Sequence, residues 1–202
     1  MKNFLNKIIF SKTAISKVTS NKKSLKKILS LSCFTIAYLC WGISSAAAAQ
    51  FESSHQSGTV AFSGQHAGMD FEGKFERWQA TLVLPPQKDP SIVATFYMTS
   101  AKTGDSIYDS TLPEFDWFDI ENHRIGKFVS TEIVMTEGGY QVSGELTIKA
   151  IAKAVSFLLT DNQDNLTTSF GINRLDYKIG LESDPDAEWV DKTISISMTL
   201  DK

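Results

Sequence analysis

The chain has 202 residues with 42% hydrophobic and 21% charged side chains, a balance that excludes a disordered chain and suffices for one domain with a sizeable core. Its formal charge of −3 hides an asymmetry: residues 1–49 carry eight lysines and no acid, whereas residues 50–202 carry 12 basic against 23 acidic side chains, a net −11. So acidic a body argues against nucleic acid as a partner and against docking on anionic lipid head groups.

The first element in chain order is an address. Lys22-Lys23 and Lys26-Lys27 precede an apolar run, Ile28 to Ile43, which is followed by Ser44-Ser45-Ala46-Ala47-Ala48-Ala49. Basic flank, apolar run and small-residue site predict a cleaved secretory signal peptide over residues 1–49, with the mature chain starting at Gln50 or at Ala49. The run of 16 residues is short of the ~20 that span a bilayer. Both cysteines, Cys33 and Cys40, lie inside it, and neither has the leucine three residues upstream that lipidation would want. The mature chain is therefore free of cysteine, and the expected location is a bacterial periplasm.

Residues 50–202 are expected to form one domain. Two segments alternate strictly between apolar and polar positions, Tyr140–Lys149 and Val190–Leu200, which is the period of a half-buried strand. Further strands are predicted at Thr59–Gly64, Met69–Leu84, Ser91–Thr99, Gly126–Thr136, Val155–Thr160 and Leu166–Asn173, punctuated by Pro-, Gly- and Asn/Asp-rich turns. Within Met69–Leu84 the apolar positions change from odd to even, which predicts a one-residue bulge between Glu76 and Trp78. The stretch Ser100–Arg124 lacks strand pattern and is expected to be a long loop with a short helix near Ser106–Leu112. Eight antiparallel strands with one dry face suggest an all-β, up-and-down barrel.

The parity of the strands aims Phe62, Phe71, Phe75, Leu82, Phe96, Leu146, Ile148, Phe157, Phe170, Ile194 and Ile196 at the interior. A barrel of this size either fills with side chains or holds one small ligand. Gly64, Gly73 and Gly144 on the inner face favour a cavity, since a filled core would prefer bulk. Trp117 and Phe118 in the long loop are read as a lid over the barrel mouth; the alternative is ordinary core closing the barrel end.

Catalytic patterns are weak. His55, His66 and His123 have no metal-ligand spacing, and no nucleophile elbow, P-loop or dinucleotide fingerprint occurs. Asp184, Asp186 and Glu188 resemble oxygen ligands for calcium but read better as a solvated acidic loop. Asp116 and Asp119 flank the aromatic pair with no visible partner for acid–base work. The expectation is a binding protein rather than an enzyme, with no metal and no catalytic residue.

Six segments, taken together, resemble the YceI-like family of periplasmic lipid-binding proteins from Phe51 to Leu200. They are Thr59–Gly68 with its Gln-His-x-Gly turn, Phe71-Glu72-Gly73-Lys74-Phe75, Asp109 to Leu112 followed by Trp117-Phe118-Asp119, Gly139–Ile148, Phe170–Gly180 and the closing strand from Val190. The turn after Ile148 departs from the family pattern, reading Ala150-Ile151-Ala152-Lys153-Ala154-Val155, and Leu112-Pro113-Glu114 replaces the usual Leu-Arg-Ser. The resemblance implies a lipocalin-like eight-stranded antiparallel barrel with an apolar central cavity. It also implies that the wall residues named above, with Trp117 and Phe118, bind a polyisoprenoid, a quinone or a fatty-acyl lipid. Alternatives are an accessory that presents a quinone-like isoprenoid to a membrane b-type cytochrome, and a lipid-modifying enzyme. The oligomeric state is open, a homodimer being one option.

Overall fold

The computed structural model describes residues 50–202; the predicted signal segment, with Cys33 and Cys40, lies outside the described residues. Each alternating segment forms a strand, because period two gives one face to water and one to the core. In chain order the strands are β1 (Gln50–Ser54), β2 (Gly58–His66), β3 (Met69–Phe75), β4 (Trp78–Val83), β5 (Ser91–Tyr97), β6 (Ala101–Lys102), β7 (Ile125–Thr136), β8 (Gly139–Ile148), β9 (Ile151–Asn162), β10 (Asn165–Asn173) and β11 (Thr193–Asp201). One helix, α1 (Ser106–Thr111), lies in the long loop where a helix is expected. Asp105 starts it by accepting the Ile107 and Tyr108 amides at 2.8 and 3.3 Å.

All eleven strands belong to one antiparallel sheet ordered β1-β4-β5-β7-β8-β9-β10-β11-β2-β3-β6. The higher count than eight has a simple origin. β1 and β2 are halves of one strand interrupted at His55–Ser57, and β3 and β4 are halves of another interrupted at Glu76-Arg77. β1 pairs with β4 while β2 pairs with β3 and β11, so the ladder returns on itself. Counted as staves, with the two-residue β6 as an appendage of β3, the ring has eight. The interruption at Glu76-Arg77 stands where the parity switch predicts it. There the buried Ser100 fills in for the missing ladder: its carbonyl accepts the Glu76 amide and its hydroxyl oxygen the Arg77 amide, both at 2.9 Å. A second register shift, between Ser130 and Glu132, bends β7.

Strand β1 was not expected from the sequence, and the closing strand begins at Thr193 rather than Val190, which makes only an isolated bridge to His66. The ring is uneven in one place. β9 and β10 pair over three residues only, Thr160–Asn162 against Asn165–Thr167. Beyond that the two strands share no ladder, and Phe157 and Phe170 stack across the gap with centroids 4.7 Å apart and planes at 11°. The core is the barrel interior, built around buried Val60, Phe62, Trp78, Leu82, Val142, Leu159 and Leu166.

Candidate functional site: an apolar barrel cavity and its vestibule

The inward-facing side chains surround a cavity of about 120 Å³ whose wall exposes only apolar surface. All thirteen residues singled out from parity and resemblance line it: Phe62, Phe71, Phe75, Leu82, Phe96, Trp117, Phe118, Leu146, Ile148, Phe157, Phe170, Ile194 and Ile196. Sequence reasoning left out Val60, Trp78, Ala80, Ile92, Phe128, Leu159, Ile172, Met198 and Leu200, which the same strand parity would have found. It also left out Leu112 and Ile179, which come from a loop and an end-turn where no periodicity operates, and Met98 and Val190, which the predicted strands Ser91–Thr99 and Val190–Leu200 include although both lie just beyond the ends of β5 and β11.

The inner-face glycines do not make the cavity, contrary to the expectation from sequence. A Cβ on Gly73 would lie 2.3 Å from the Phe62 ring, and one on Gly144 would lie 2.5 Å from the Phe128 ring. These glycines let large rings lie flat against the wall. The space that remains is set by the rings, most of which contact one another edge-on or tilted, as Phe62 does with Phe75 and Phe118 at 5.5 and 6.3 Å, while Phe157 and Phe170 stack.

One end of the barrel is closed by two segments, the loop from Met98 to Arg124 and the connection from β10 to β11. Asp116 latches them: its carboxylate accepts the Glu182 and Ser183 amides at 2.9 Å and the Ser183 hydroxyl at 2.6 Å, and its carbonyl accepts the Gly180 amide at 2.7 Å. Burial works against the ionised form, but the Ser183 hydroxyl and these amides outweigh it and hold the Asp116 carboxyl below the usual range. Lys149, at the tip of the β8–β9 hairpin, donates to the carbonyls of Phe115, Asp116 and Lys178, and burial pushes its ammonium pKa down. The Asp116 carboxylate is thus engaged in holding the loops together. Asp119 is buried in the loop, its carboxylate accepting the Asn122 side-chain Nδ2–H at 2.9 Å with His123 at 3.6 Å.

Arg174 is the polar exception in the cavity wall. It is 1% exposed, and every part of its guanidinium is bonded. Nε donates to the Asp191 carbonyl, Nη1 to those of Ile179 and Gly180, and Nη2 to those of Asp184 and Val190 and to the Asp184 carboxylate at 2.6 Å. Asp184 in turn accepts the amides of Glu188, Trp189 and Val190. Burial opposes its charge, but those amides and the guanidinium win and hold its carboxyl below the usual range. The solvated acidic loop expected at Asp184–Glu188 is therefore half wrong: Asp184 is a buried counter-ion, and only Asp186 and Glu188 face water. Gly180 is required beside this centre, since it sits at φ +65° and a Cβ would lie 2.8 Å from Arg174 Nη1. Tyr177, on the short turn after β10, is buried as well, and burial together with Asp176 pushes its phenol up to about 12.

Above the cavity lies a second space, a vestibule of about 160 Å³ lined by Phe62, His66, Phe71, Thr103, Ile107, Tyr108, Thr111, Leu112, Trp117 and Val190. Five residues, Phe62, Phe71, Leu112, Trp117 and Val190, line both spaces and form the partition between them. The two aromatic residues of the loop divide the roles foreseen for them. Phe118 is buried and packs edge-on against Phe62 as core, while the half-buried Trp117 stands in the partition. Among the described residues, no three His, Asp or Glu side chains gather as a metal site.

Comparison with known proteins places this architecture. The family profile of the YceI-like domain matches residues 51–201. No curated protein sequence matches. Among solved structures, Burkholderia cenocepacia BcnA is similar with 25% identity and a TM-score of 0.68, over 73% of this chain and 98% of that one. A Campylobacter jejuni YCEI protein is similar in fold with 16% identity and a TM-score of 0.54, over 64% and 84%. A polyisoprenoid binding domain from Saccharophagus degradans, implicated in plant cell wall breakdown, is similar in fold with 11% identity and a TM-score of 0.54, over 74% and 95%.

Proposed function

Because the chain belongs to the YceI-like family, we propose that it is a periplasmic binding protein that sequesters or carries a polyisoprenoid or another long-chain amphiphilic lipid in its barrel. The observation that carries this reading is the cavity wall, which exposes only apolar surface and continues through a partition into a partly polar vestibule. Such a pairing suits a molecule with an apolar tail and a polar head. Each buried CH₂ of a tail contributes about 0.8 kcal/mol, so a dry barrel holds a lipid by area and shape with few polar contacts. The polyisoprenoid-binding neighbour of the same fold supports the same ligand class. The acidic body keeps the carrier soluble. No step of this role asks for a catalytic group, and the two ionised centres of the end-loops are both fully engaged in holding the loops.

The test is native mass spectrometry of protein isolated from its own host, followed by lipid extraction. A hydrophobic adduct of defined mass is expected, on a chain beginning at Gln50 or Ala49 and recovered from the periplasmic fraction. Protein that carries no adduct and takes up none from a total lipid extract would sink the binding role. An intact N-terminus in the membrane fraction would sink the location alone.

A further inference from the structure

The loop end of the barrel differs from the rest of the surface in two independent ways. The first is apolar exposure. Ile107, Phe115, Leu181 and Trp189 in the end-loops and Met69 at the start of β3 all face water, Phe115 and Trp189 at 65% and 60%. Four of them have a carboxylate as chain neighbour: Met69-Asp70, Glu114-Phe115, Leu181-Glu182 and Glu188-Trp189. The second is charge. Residues 103–124 and 174–192 carry 12 acidic and four basic side chains, a net −8, whereas the rest of residues 50–202 carries 11 acidic and eight basic, a net −3. Arg174 is buried, and Lys149, the cation that the β8–β9 turn adds at this end, spends its ammonium on three carbonyls. Among the described residues, the exposed carboxylates of Glu114, Glu182, Asp186 and Glu188 are in no ion pair.

Hydrogen bonds join these positions into one rim. The Gly180 amide donates to the Asp116 carbonyl at 2.7 Å, which sets the segments of Phe115 and Leu181 against each other. The Asp184 amide donates to the Gly180 carbonyl at 3.0 Å and the Asp184 carboxylate accepts the Trp189 amide, so Leu181 and Trp189 stand on one closed loop. The Ala67 amide donates to the Trp189 carbonyl at 2.7 Å, beside Met69. His66 Nδ1 and the Tyr108 hydroxyl, 2.8 Å apart, carry the rim on to α1 and Ile107. The apolar side chains therefore stand on a platform fixed by its own backbone, which lowers the entropy that a partner's arrival would cost.

Exposed Trp and Phe among unpaired carboxylates have the make-up of a protein interface, where aromatic anchors supply affinity and charges select the partner. The charge says which partner. An anionic bilayer is repelled by this end, and a second copy would set −8 against −8. A basic surface is attracted. We propose that the loop end of the barrel is a docking surface for a protein partner with a basic patch, anchored by Phe115 and Trp189 and oriented by Glu114, Glu182 and Glu188. Phe115 and Trp189 line neither the cavity nor the vestibule, and the proposal does not depend on what the barrel holds.

The test is photo-crosslinking of the full chain in its own host, with a benzophenone side chain in place of Phe115, of Trp189 or, as a control on the outer face of β7, of Val134. Positions 115 and 189 are expected to yield the same protein adduct, mapped by mass spectrometry to a Lys/Arg-bearing segment of the partner, and position 134 is expected to yield none. Glu182→Lys with Glu188→Lys should cut the yield about fivefold, and reversing the mapped basic residues of the partner should restore it. Raised salt should lower the yield in the unsubstituted background as well, so the charge dependence is read even if the double variant loses stability. Adducts on lipid alone, on a second copy of this chain or at Val134 to the same extent overturn the proposal. So do the absence of any adduct and a yield indifferent to salt and to charge reversal.

Discussion

A guanidinium beside an apolar cavity has to be paired and fully hydrogen-bonded before the fold closes over it. Arg174 meets that requirement through Asp184 and five carbonyls, and in doing so ties the β10–β11 connection to the barrel rim. Removing either partner leaves the other charged and buried, so Arg174→Met or Asp184→Asn should destabilise the protein by about 3–5 kcal/mol in urea denaturation. The pH dependence has a definite sign. Asp184 and Asp116 titrate lower in the folded protein than their unfolded value of about 3.9. Their stabilisation is therefore complete above that value and is lost as pH falls through the depressed native one. The thermal midpoint should drop steeply below about pH 4, and less steeply in Asp184→Asn; parallel curves would refute the assignment. The neighbouring aromatics separate by the same logic of burial. Phe118→Ala should cost about 3–5 kcal/mol of stability, as for other buried ring truncations. Trp117→Ala should open the partition and speed release of bound lipid, with a much smaller loss of stability; equal losses in the two variants would make Trp117 core too.

Among the elements, the β8–β9 hairpin is the one most at odds with its sequence. Ile148 pairs with Ile151, leaving Lys149-Ala150 as a two-residue turn with φ of +50° and +58°. Such turns normally take Asn-Gly or its equivalents. Here the three carbonyl bonds of the Lys149 ammonium hold the conformation from outside. Ala150→Gly should relieve about 1 kcal/mol of backbone strain and raise the thermal midpoint; an unchanged or lower midpoint would mean that the turn is not strained. The hairpin also explains what the sequence revealed and what it concealed. Strand positions, the parity switch at Glu76–Trp78 and eleven of the wall residues were legible because a pleated strand converts sequence spacing directly into facing; Trp117 and Phe118 stood out only as large apolar side chains in an acidic loop. The end-loops were not, because Arg174, Asp184, Asp116 and Lys149 are joined by hydrogen bonds between residues as much as 67 positions apart, which no local pattern encodes. His66 was visible only as a turn histidine, and its partner Tyr108 carried no signal at all. The inner glycines misled because a missing side chain reads as space, whereas here a neighbouring ring occupies it.

At the scale of the whole molecule, the capacity of the barrel and the place where it can yield are linked. A water-sized group needs roughly 10–15 Å³ of such volume, so the cavity of about 120 Å³ and the vestibule of about 160 Å³ each take on the order of ten carbon-sized groups. Eight-stranded rings with continuous ladders resist expansion, since every strand is hydrogen-bonded on both sides. Apart from the short interruptions at His55–Ser57 and Glu76-Arg77, this ring has a long discontinuity between β9 and β10 beyond Thr160 and Thr167, bridged by the stacked pair Phe157 and Phe170 rather than by backbone bonds. Parting there breaks a ring–ring contact and no ladder. A chain-length series of prenols should therefore show two regimes. Affinity rises by about 0.8 kcal/mol per CH₂ while the existing spaces fill, and it flattens near roughly twenty carbons. Phe170→Ala enlarges the wall at the gap and should move the break point to longer chains. Hydrogen exchange reports the same feature from the protein side: the β9 amides of Ile151–Leu159 that point toward β10 should exchange much faster than those bonded to β8, and filling the cavity with a long prenol should not slow them if the strands stay apart. A break point that does not move in Phe170→Ala, together with seam amides as protected as those facing β8, would show the ring to be closed there and would place any expansion elsewhere.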